Sequence, residues 1–276
     1  MRSPIYFAPK GHDVKTILEF AAAKAEGRSI SMVTCYDSTS AMIVASSNVD
    51  CILVGDSVAM TMHGFKDTLN ATPEMLEMHV AAVRRGAPGK FVVADLPFLA
   101  HRGSLDQTIA VVARVMRAGA NAVKIEGVDG SADVLKHIVQ SGVPVMGHLG
   151  LTPQSVHQFG GFKVQGKTNS AAEHIRKQAK QLEDCGVFAV VLECVPALLA
   201  KQITAELHVP TIGIGAGVDC DGQVLVFQDV LGLNTEFRPK FVRPFAKGAE
   251  LFQNALNQYD AAVKEHTFPA AGETFQ

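Results

Sequence analysis

A short Val/Ile-rich run, a polar or glycine-bearing loop and a stretch of helical period recur along almost the whole chain, and this alternation limits the fold more than any other feature. The strand candidates are SISMVTCYD ending at Asp37, CILVGD at Asp56, FVVADL at Leu96, AVKIEG at Gly127, VPVMGHLG at Gly150, FAVVLEC at Cys194, VPTIGIGAG at Gly217 and, more weakly, KFVRPF at Phe245. Runs apolar on both faces that alternate with helices imply a parallel sheet covered by helices. Eight of them in roughly 250 residues fit a closed (β/α)₈ TIM barrel better than an open doubly wound sheet.

The intervening segments carry helix punctuation. Ser104 with Gln107 and Ser170 with Glu173 have capping-box spacing, and Pro73 and Pro196 suit first-turn positions. Gly86, Gly119, Gly142 and Gly186 follow the last helical residues, where a left-handed stop is favoured. A helix over residues 13–26, capped by Asp13 and stopped by Gly27, precedes the first strand and is placed to plug the lower end of the barrel. We expect an N-terminal arm over 1–12, one barrel domain over 13–266 and a disordered tail over 267–276.

Composition narrows the class further. The chain has 276 residues, 47% hydrophobic and 19% charged, with a formal net charge of -2, so nothing in its charge calls for nucleic acid or a membrane surface. The longest apolar run, VFAVVLECVPALLA, is broken by Glu193 and Pro196 and is too short to span a bilayer. The N-terminus lacks the apolar core of a signal peptide, and five cysteines without C-x-x-C spacing read as reduced thiols of a cytoplasmic protein.

In a TIM barrel the chemistry sits at the carboxyl ends of the strands. There the sequence puts Asp37, Asp56 with Ser57, Asp95, Lys124 with Glu126, His148, Glu193 and the glycines of GIGAG. Any single terminal Asp is first a loop cap. Several acids at one mouth repel unless a cation neutralises them, and hard oxygens at Asp56, Asp95 and Glu126 suit Mg²⁺. Zinc is disfavoured, since the histidines show no ligand spacing. Lys124 shares a strand face with Glu126, so it stands free for an anionic substrate group, or else forms a purely structural ion pair. His148 and Ser57 are candidate hydrogen-bond donors, with a satisfied structural histidine as the plainer reading of His148.

Other motifs weigh less. GIGAG departs from G-x-G-x-x-G and follows a late strand, which points to close backbone approach rather than a phosphate cradle. Arg84 and Arg85 read as a solvated last turn. FGGFKVQGKTNS is either a lid or a plain connection.

The motifs LVGDS, ADLPF, MRAGANAVKIEG, GHLGLTPQS, GGFKVQGK, LECVP and IGIGAG, in this order, closely resemble the ketopantoate hydroxymethyltransferases, over about residues 13–265. The resemblance implies a (β/α)₈ barrel of the phosphoenolpyruvate/pyruvate superfamily, a Mg²⁺ ion, and transfer of a hydroxymethyl group from 5,10-methylenetetrahydrofolate to 3-methyl-2-oxobutanoate in pantothenate biosynthesis. It implies Asp56, Asp95 and Glu126 as metal-site acids, Glu126 directly or through water. Asp56, Ser57, Asp95, Lys124 and His148 become keto-acid contacts and Glu193 the general base of a Mg²⁺-assisted enolisation. A large homo-oligomer, commonly a decamer, is also implied. Cys35 stands where relatives often have Ala, and the N-terminal arm is longer than in some of them. The rival readings are a Mg²⁺-dependent lyase or mutase of the same superfamily acting on another 2-oxo acid, which would carry a reactive cysteine in a KKCGH-type loop absent here, and a non-catalytic scaffold.

Overall fold

The computed structural model describes residues 15–235 and 239–275. Its contacts divide the chain into a unit through Leu225 and a second unit over Val226–Gln276, where the sequence reading draws one domain to residue 266.

The first unit is a closed parallel barrel in the strand order β1 to β8. Its strands are β1 (Ile30–Thr34), β2 (Cys51–Val54), β3 (Phe91–Asp95), β4 (Ala122–Glu126), β5 (Val145–Gly150), β6 (Ala189–Glu193), β7 (Thr211–Ile214) and β8 (Gly222–Leu225). Helix α1 (Ile17–Ala25) precedes β1; between the strands lie α2 (Ser38–Ala45), α3 (Val58–Thr61), α4 (Pro73–Gly86), α5 (Leu105–Ala118), α6 (Ala132–Gln140), α7 (Val156–Phe159), α8 (Asn169–Asp184) and α9 (Ala197–Glu206). The fold is therefore the expected TIM barrel with a leading helix.

Residues of one strand face fill the barrel, because side chains alternate along a strand. Met32, Cys51, Leu53, Phe91, Val93, Ala122, Met146, Ala189, Val191, Ile212 and Val224 form one cluster, and Phe20 of α1 enters it. Phe20 packs edge-on against Phe91 at 5.3 Å and Phe188 at 5.0 Å. The leading helix thus closes the lower end of the barrel. Its N-cap is Thr16, whose backbone N–H donates to Glu19 Oε2 at 2.7 Å, whereas Asp13 and the arm over residues 1–12 fall outside the described residues.

Several local expectations change. The eighth strand is Gly222–Leu225, pairing with β1 and β7, and KFVRPF forms no strand. A strand this short shows no long apolar run, and a Cβ on Gly222 would come within 2.4 Å of the Ile30 carbonyl oxygen, so barrel closure there depends on glycine. β1 ends at Thr34, and Asp37 caps α2, accepting from Ser40 N at 2.9 Å. α8 is capped by Thr168 rather than Ser170, and Pro196 is the N-cap of α9 rather than its first turn. The Ser104–Gln107 capping box and Pro73 in the first turn stand as expected.

Gly119, Gly142 and Gly186 have positive φ just after their helices, as expected. Gly86 instead is the last residue of α4, where a Cβ would collide with the Ser38 carbonyl oxygen and the Ala41 side chain of α2. Arg85 is exposed as expected, but Arg84 is half-buried: it donates from Nε to the Gly119 carbonyl at 2.7 Å and from Nη1 to the Lys90 carbonyl at 2.9 Å, and it also bonds Asn121. It ties the end of α4 to the entries of β3 and β4.

The second unit contains α10 (Phe227–Val230) and α11 (Gly248–Lys264). Residues 267–275, expected to lack structure, include a short turn at Ala271–Glu273, and Phe268 packs against Tyr259 at 5.5 Å.

Candidate active site

The inward faces of β3 to β6 are apolar below and charged above. Phe91 and Val93 lead to Asp95, Ala122 to Lys124 and Glu126, Met146 to His148, and Ala189 and Val191 to Glu193. The parallel register then sets Asp95 beside Lys124 and Glu126 beside His148. Two opposite charges in an otherwise apolar strand are thus the top layer of the barrel interior.

Lys124 Nζ lies 2.6 Å from Asp95 Oδ1 and 3.3 Å from His148 Nδ1. His148 bridges two acids, Nδ1 at 3.3 Å from Glu126 Oε1 and Nε2 at 3.2 Å from Glu193 Oε2. Asp95, Lys124, Glu126 and His148 are all buried. Burial by itself would push the Lys124 ammonium down, but Asp95, Glu126 and Asp56 outweigh it and raise its pKa above the ordinary value. Burial and the Lys124 charge oppose protonation of His148; its contacts with Glu126 and Glu193 prevail and raise it to about 9, an imidazolium at neutral pH. Glu126 is lowered, because contact with His148, Lys124 and the Gln154 N–H overcomes the cost of burial.

On the neighbouring strand end, the Asp56 N–H donates to Asp95 Oδ2 at 2.9 Å. A Cβ on Gly55 would sit 2.9 Å from Ser57 Oγ and 3.3 Å from Asp95 Oδ2, so glycine permits this turn. Ser57 Oγ shares a 2.7 Å hydrogen bond with the Tyr36 hydroxyl. Burial and the charges of Asp95 and Glu126 raise the Asp56 pKa well above the ordinary carboxylate range.

Asp56, Ser57, Asp95, Lys124, Glu126, His148 and Glu193 therefore stand together at one mouth, whereas Asp37 serves as a helix cap. Gln154 was not foreseen. Its Nε2 donates to Asp56 Oδ2 at 2.8 Å and to the Leu96 carbonyl at 2.9 Å, and its backbone N–H donates to Glu126 Oε2 at 3.0 Å. A neutral glutamine in a loop gives no signal of its own, although it lies inside the GHLGLTPQS stretch. Tyr36 was missed likewise, being one aromatic residue next to Asp37.

Among the described residues no three His, Cys, Asp or Glu side chains close a metal site by themselves. A hard divalent cation asks for less, since Mg²⁺ is commonly held by one or two carboxylates with water and substrate completing the octahedron. Asp95 Oδ1 and Glu126 Oε1 are buried without an aligned hydrogen bond, each held only by an ion-pair contact, to Lys124 and to His148, so these carboxylate oxygens keep lone pairs for a cation. The donor set of Asp56 and Asp95, repelling each other in a buried mouth, fits such an ion.

Beside this cluster opens a cavity of about 750 Å³, with Glu126 and Gln154 in its wall. Phe159, Gln165 and Gly166 of the glycine-rich loop also line it, whereas none of the GIGAG glycines does. GIGAG instead makes the expected close approach: a Cβ on Gly217 would lie 2.6 Å from Ala197 Cβ.

A closed parallel barrel with a leading helix at its lower end carries its charged cluster at the carboxyl ends of the strands, where TIM-barrel enzymes place their chemistry. A 2,3-dimethylmalate lyase, a member of the PEP mutase/isocitrate lyase superfamily, superimposes with a TM-score of 0.59 at 16% identity, covering 95% of this chain and 92% of that one. A phosphonopyruvate hydrolase in complex with oxalate and Mg²⁺ gives 0.61 at 10% identity, covering 94% and 93%. These likenesses carry the fold alone. The model of the ketopantoate hydroxymethyltransferase family matches residues 14–271, and the chain belongs to that family. A 3-methyl-2-oxobutanoate hydroxymethyltransferase of Bdellovibrio bacteriovorus is 56% identical over 262 residues, covering 95% of this chain and 100% of the relative. One from Legionella pneumophila is 54% identical over 260 residues, covering 94% and 99%.

Proposed function

We propose that this protein transfers a hydroxymethyl group from 5,10-methylenetetrahydrofolate to 3-methyl-2-oxobutanoate, giving 2-dehydropantoate and tetrahydrofolate in pantothenate biosynthesis. Water supplies the oxygen of the new hydroxyl group. The observation that carries this reading is the mouth where Lys124 and His148 stand among Asp56, Asp95, Glu126 and Glu193, in a chain of this family.

Asp56 and Asp95 would hold Mg²⁺. Glu126, with Oε2 engaged by the Gln154 N–H and Oε1 facing His148, would support the ion from the outer shell. When bound, the ion supplies Lewis-acid polarisation of the keto acid's carbonyl, which acidifies the hydrogen on C3.

The chain's own residues do the rest. Ser57, oriented by Tyr36, donates a hydrogen bond to the keto acid, and the Lys124 ammonium offsets its negative charge. Glu193, the half-buried acid at the end of β6, takes the C3 proton. The electron pair left on C3 forms the bond to the one-carbon unit, whose carbon–nitrogen bonds break with their electrons passing to the folate nitrogens, so that tetrahydrofolate leaves. The His148 imidazolium, against Glu193 and Lys124, steadies the negative charge that passes through the mouth.

Cytoplasmic location and a homo-oligomer, as a decamer, belong to the same reading. The five cysteines are free, and no helix among the described residues is long and apolar enough to cross a membrane. Leu251, Phe252 and Leu256 of α11 stand exposed on the single chain, which supports an interface between copies. Sedimentation velocity measures the assembly. The function is tested by a coupled assay of 3-methyl-2-oxobutanoate with methylenetetrahydrofolate, which should turn over with Mg²⁺ and stop with a chelator. No ketopantoate under these conditions would end the proposal.

A further inference from the structure

The cavity beside the acid cluster is too large for its keto acid. At about 750 Å³ it falls in the range of sites for organic ligands of drug size, whereas the groups suited to a five-carbon acid are gathered around Lys124. Its wall includes Glu126 and Gln154, so a ligand there adjoins the reacting carbon.

His101 lines the cavity, is only 3% exposed, and neither of its ring nitrogens makes a well-aligned hydrogen bond, with the Glu126 backbone as a polar neighbour. A buried imidazole without aligned partners is unfavourable unless a guest supplies them. An imidazole so deeply enclosed presents its two ring nitrogens to the cavity as polar edge atoms, which suits the edge of a polar heterocycle.

The backbone before it is shaped for the same purpose. Leu99 adopts φ 61, a conformation that costs energy for any residue but glycine, and it and Phe98 remain 55% and 41% exposed at the cavity's edge. Two large apolar side chains held open beside a buried imidazole without aligned partners make a slot for a flat ring. Arg102, exposed at the rim, offers a cation to an acidic tail.

We propose that this cavity binds the pteridine of the folate co-substrate, with His101 hydrogen-bonded to the ring edge and Phe98 and Leu99 against its face. The proposal rests on the function proposed above and assigns the half of the site that the keto-acid residues leave open.

The test measures tetrahydrofolate binding by titration calorimetry and the KM for methylenetetrahydrofolate, in the wild type, His101→Leu and Leu99→Gly. A second readout is exchange of the C3 hydrogen of 3-methyl-2-oxobutanoate in D₂O, which needs no folate. His101→Leu should weaken tetrahydrofolate about tenfold or more, as expected for a buried hydrogen bond, and raise the folate KM in step. Leu99→Gly should weaken it several-fold while folding at least as well as the wild type, because glycine adopts this φ freely. The exchange reaction should persist in both, locating the defect on the folate side. Unchanged folate affinity in both variants, with normal wild-type turnover, would overturn the cavity assignment and leave the function standing. A wild type that neither binds tetrahydrofolate nor makes ketopantoate would overturn both. Should His101→Leu fail to fold, Leu99→Gly decides alone.

Discussion

Lys124 Nζ on β4 lies 2.6 Å from Asp95 Oδ1 on β3, across the register pair that the barrel sets side by side. Both groups are buried, and the pairing is embedded in further acids, Glu126 and Asp56. The raised pKa keeps the lysine an ammonium, which stabilises anions and cannot act as an amine nucleophile.

Replacement of Lys124 should follow that electrostatic role. Lys124→Arg should retain part of the activity and Lys124→Met very little, with the loss appearing in keto-acid binding as well as in rate. Borohydride added with the keto acid should leave the lysine unmodified by mass spectrometry. A trapped adduct on Lys124 would replace this mechanism with a Schiff-base aldolase.

Glu193 is expected to remove the C3 proton. With Mg²⁺ and 3-methyl-2-oxobutanoate alone in D₂O, the wild type should exchange the C3 hydrogen, and Glu193→Gln should lower exchange and turnover together by about 10²- to 10⁴-fold. Proton NMR follows the exchange directly. Undiminished exchange in the variant would assign the base to another group.

Gln154 joins Asp56, Glu126 and the Leu96 carbonyl, so it positions two acids of the cluster at once. Gln154→Leu keeps the backbone bond to Glu126 and loses both side-chain bonds. Mg²⁺ affinity should then fall about 10- to 100-fold, the usual cost of an outer-shell partner, as measured by calorimetry without substrate. Wild-type affinity would reduce Gln154 to a packing residue.

Thiol chemistry separates this reading from a lyase with a reactive cysteine. Burial pushes all five thiols up, Cys35 to about 11 and Cys194 to about 12. At pH 8 they remain protonated, and the thiolate is the nucleophile. Iodoacetamide should label the folded protein at least about tenfold more slowly than free cysteine, whose thiol titrates near 8.5. Rapid loss of activity with one equivalent of label would argue for a reactive cysteine.

The barrel was legible because its cause is local. Apolar runs such as ILV at 52–54 and VVA at 92–94, each followed by a loop and an amphipathic helix, can bury both strand faces only inside a helix-covered parallel sheet. The acids at the strand ends were legible for the same reason, since alternation assigns Lys124 and Glu126 to one face before any neighbour is known. β8 was not, because Gly222–Leu225 is a strand by virtue of the edges it closes, β7 and β1, rather than through its own residues. Arg84, whose helix position suggests solvent, is drawn into carbonyls of Gly119 and Lys90 that lie far from it or around a turn in sequence. Tertiary structure alone decided that Asp37 caps a helix while Asp56 and Asp95 join a cluster, that His148 bridges Glu126 and Glu193, that Gln154 bonds Asp56 and Tyr36 bonds Ser57, and that His101 lines the adjoining cavity. Sequence determines which groups a strand can present and on which face. Which of them share a buried space, and so shift one another's charge, depends on contacts between segments that are distant in sequence, from Glu126 with His148 to Asp56 with Gln154.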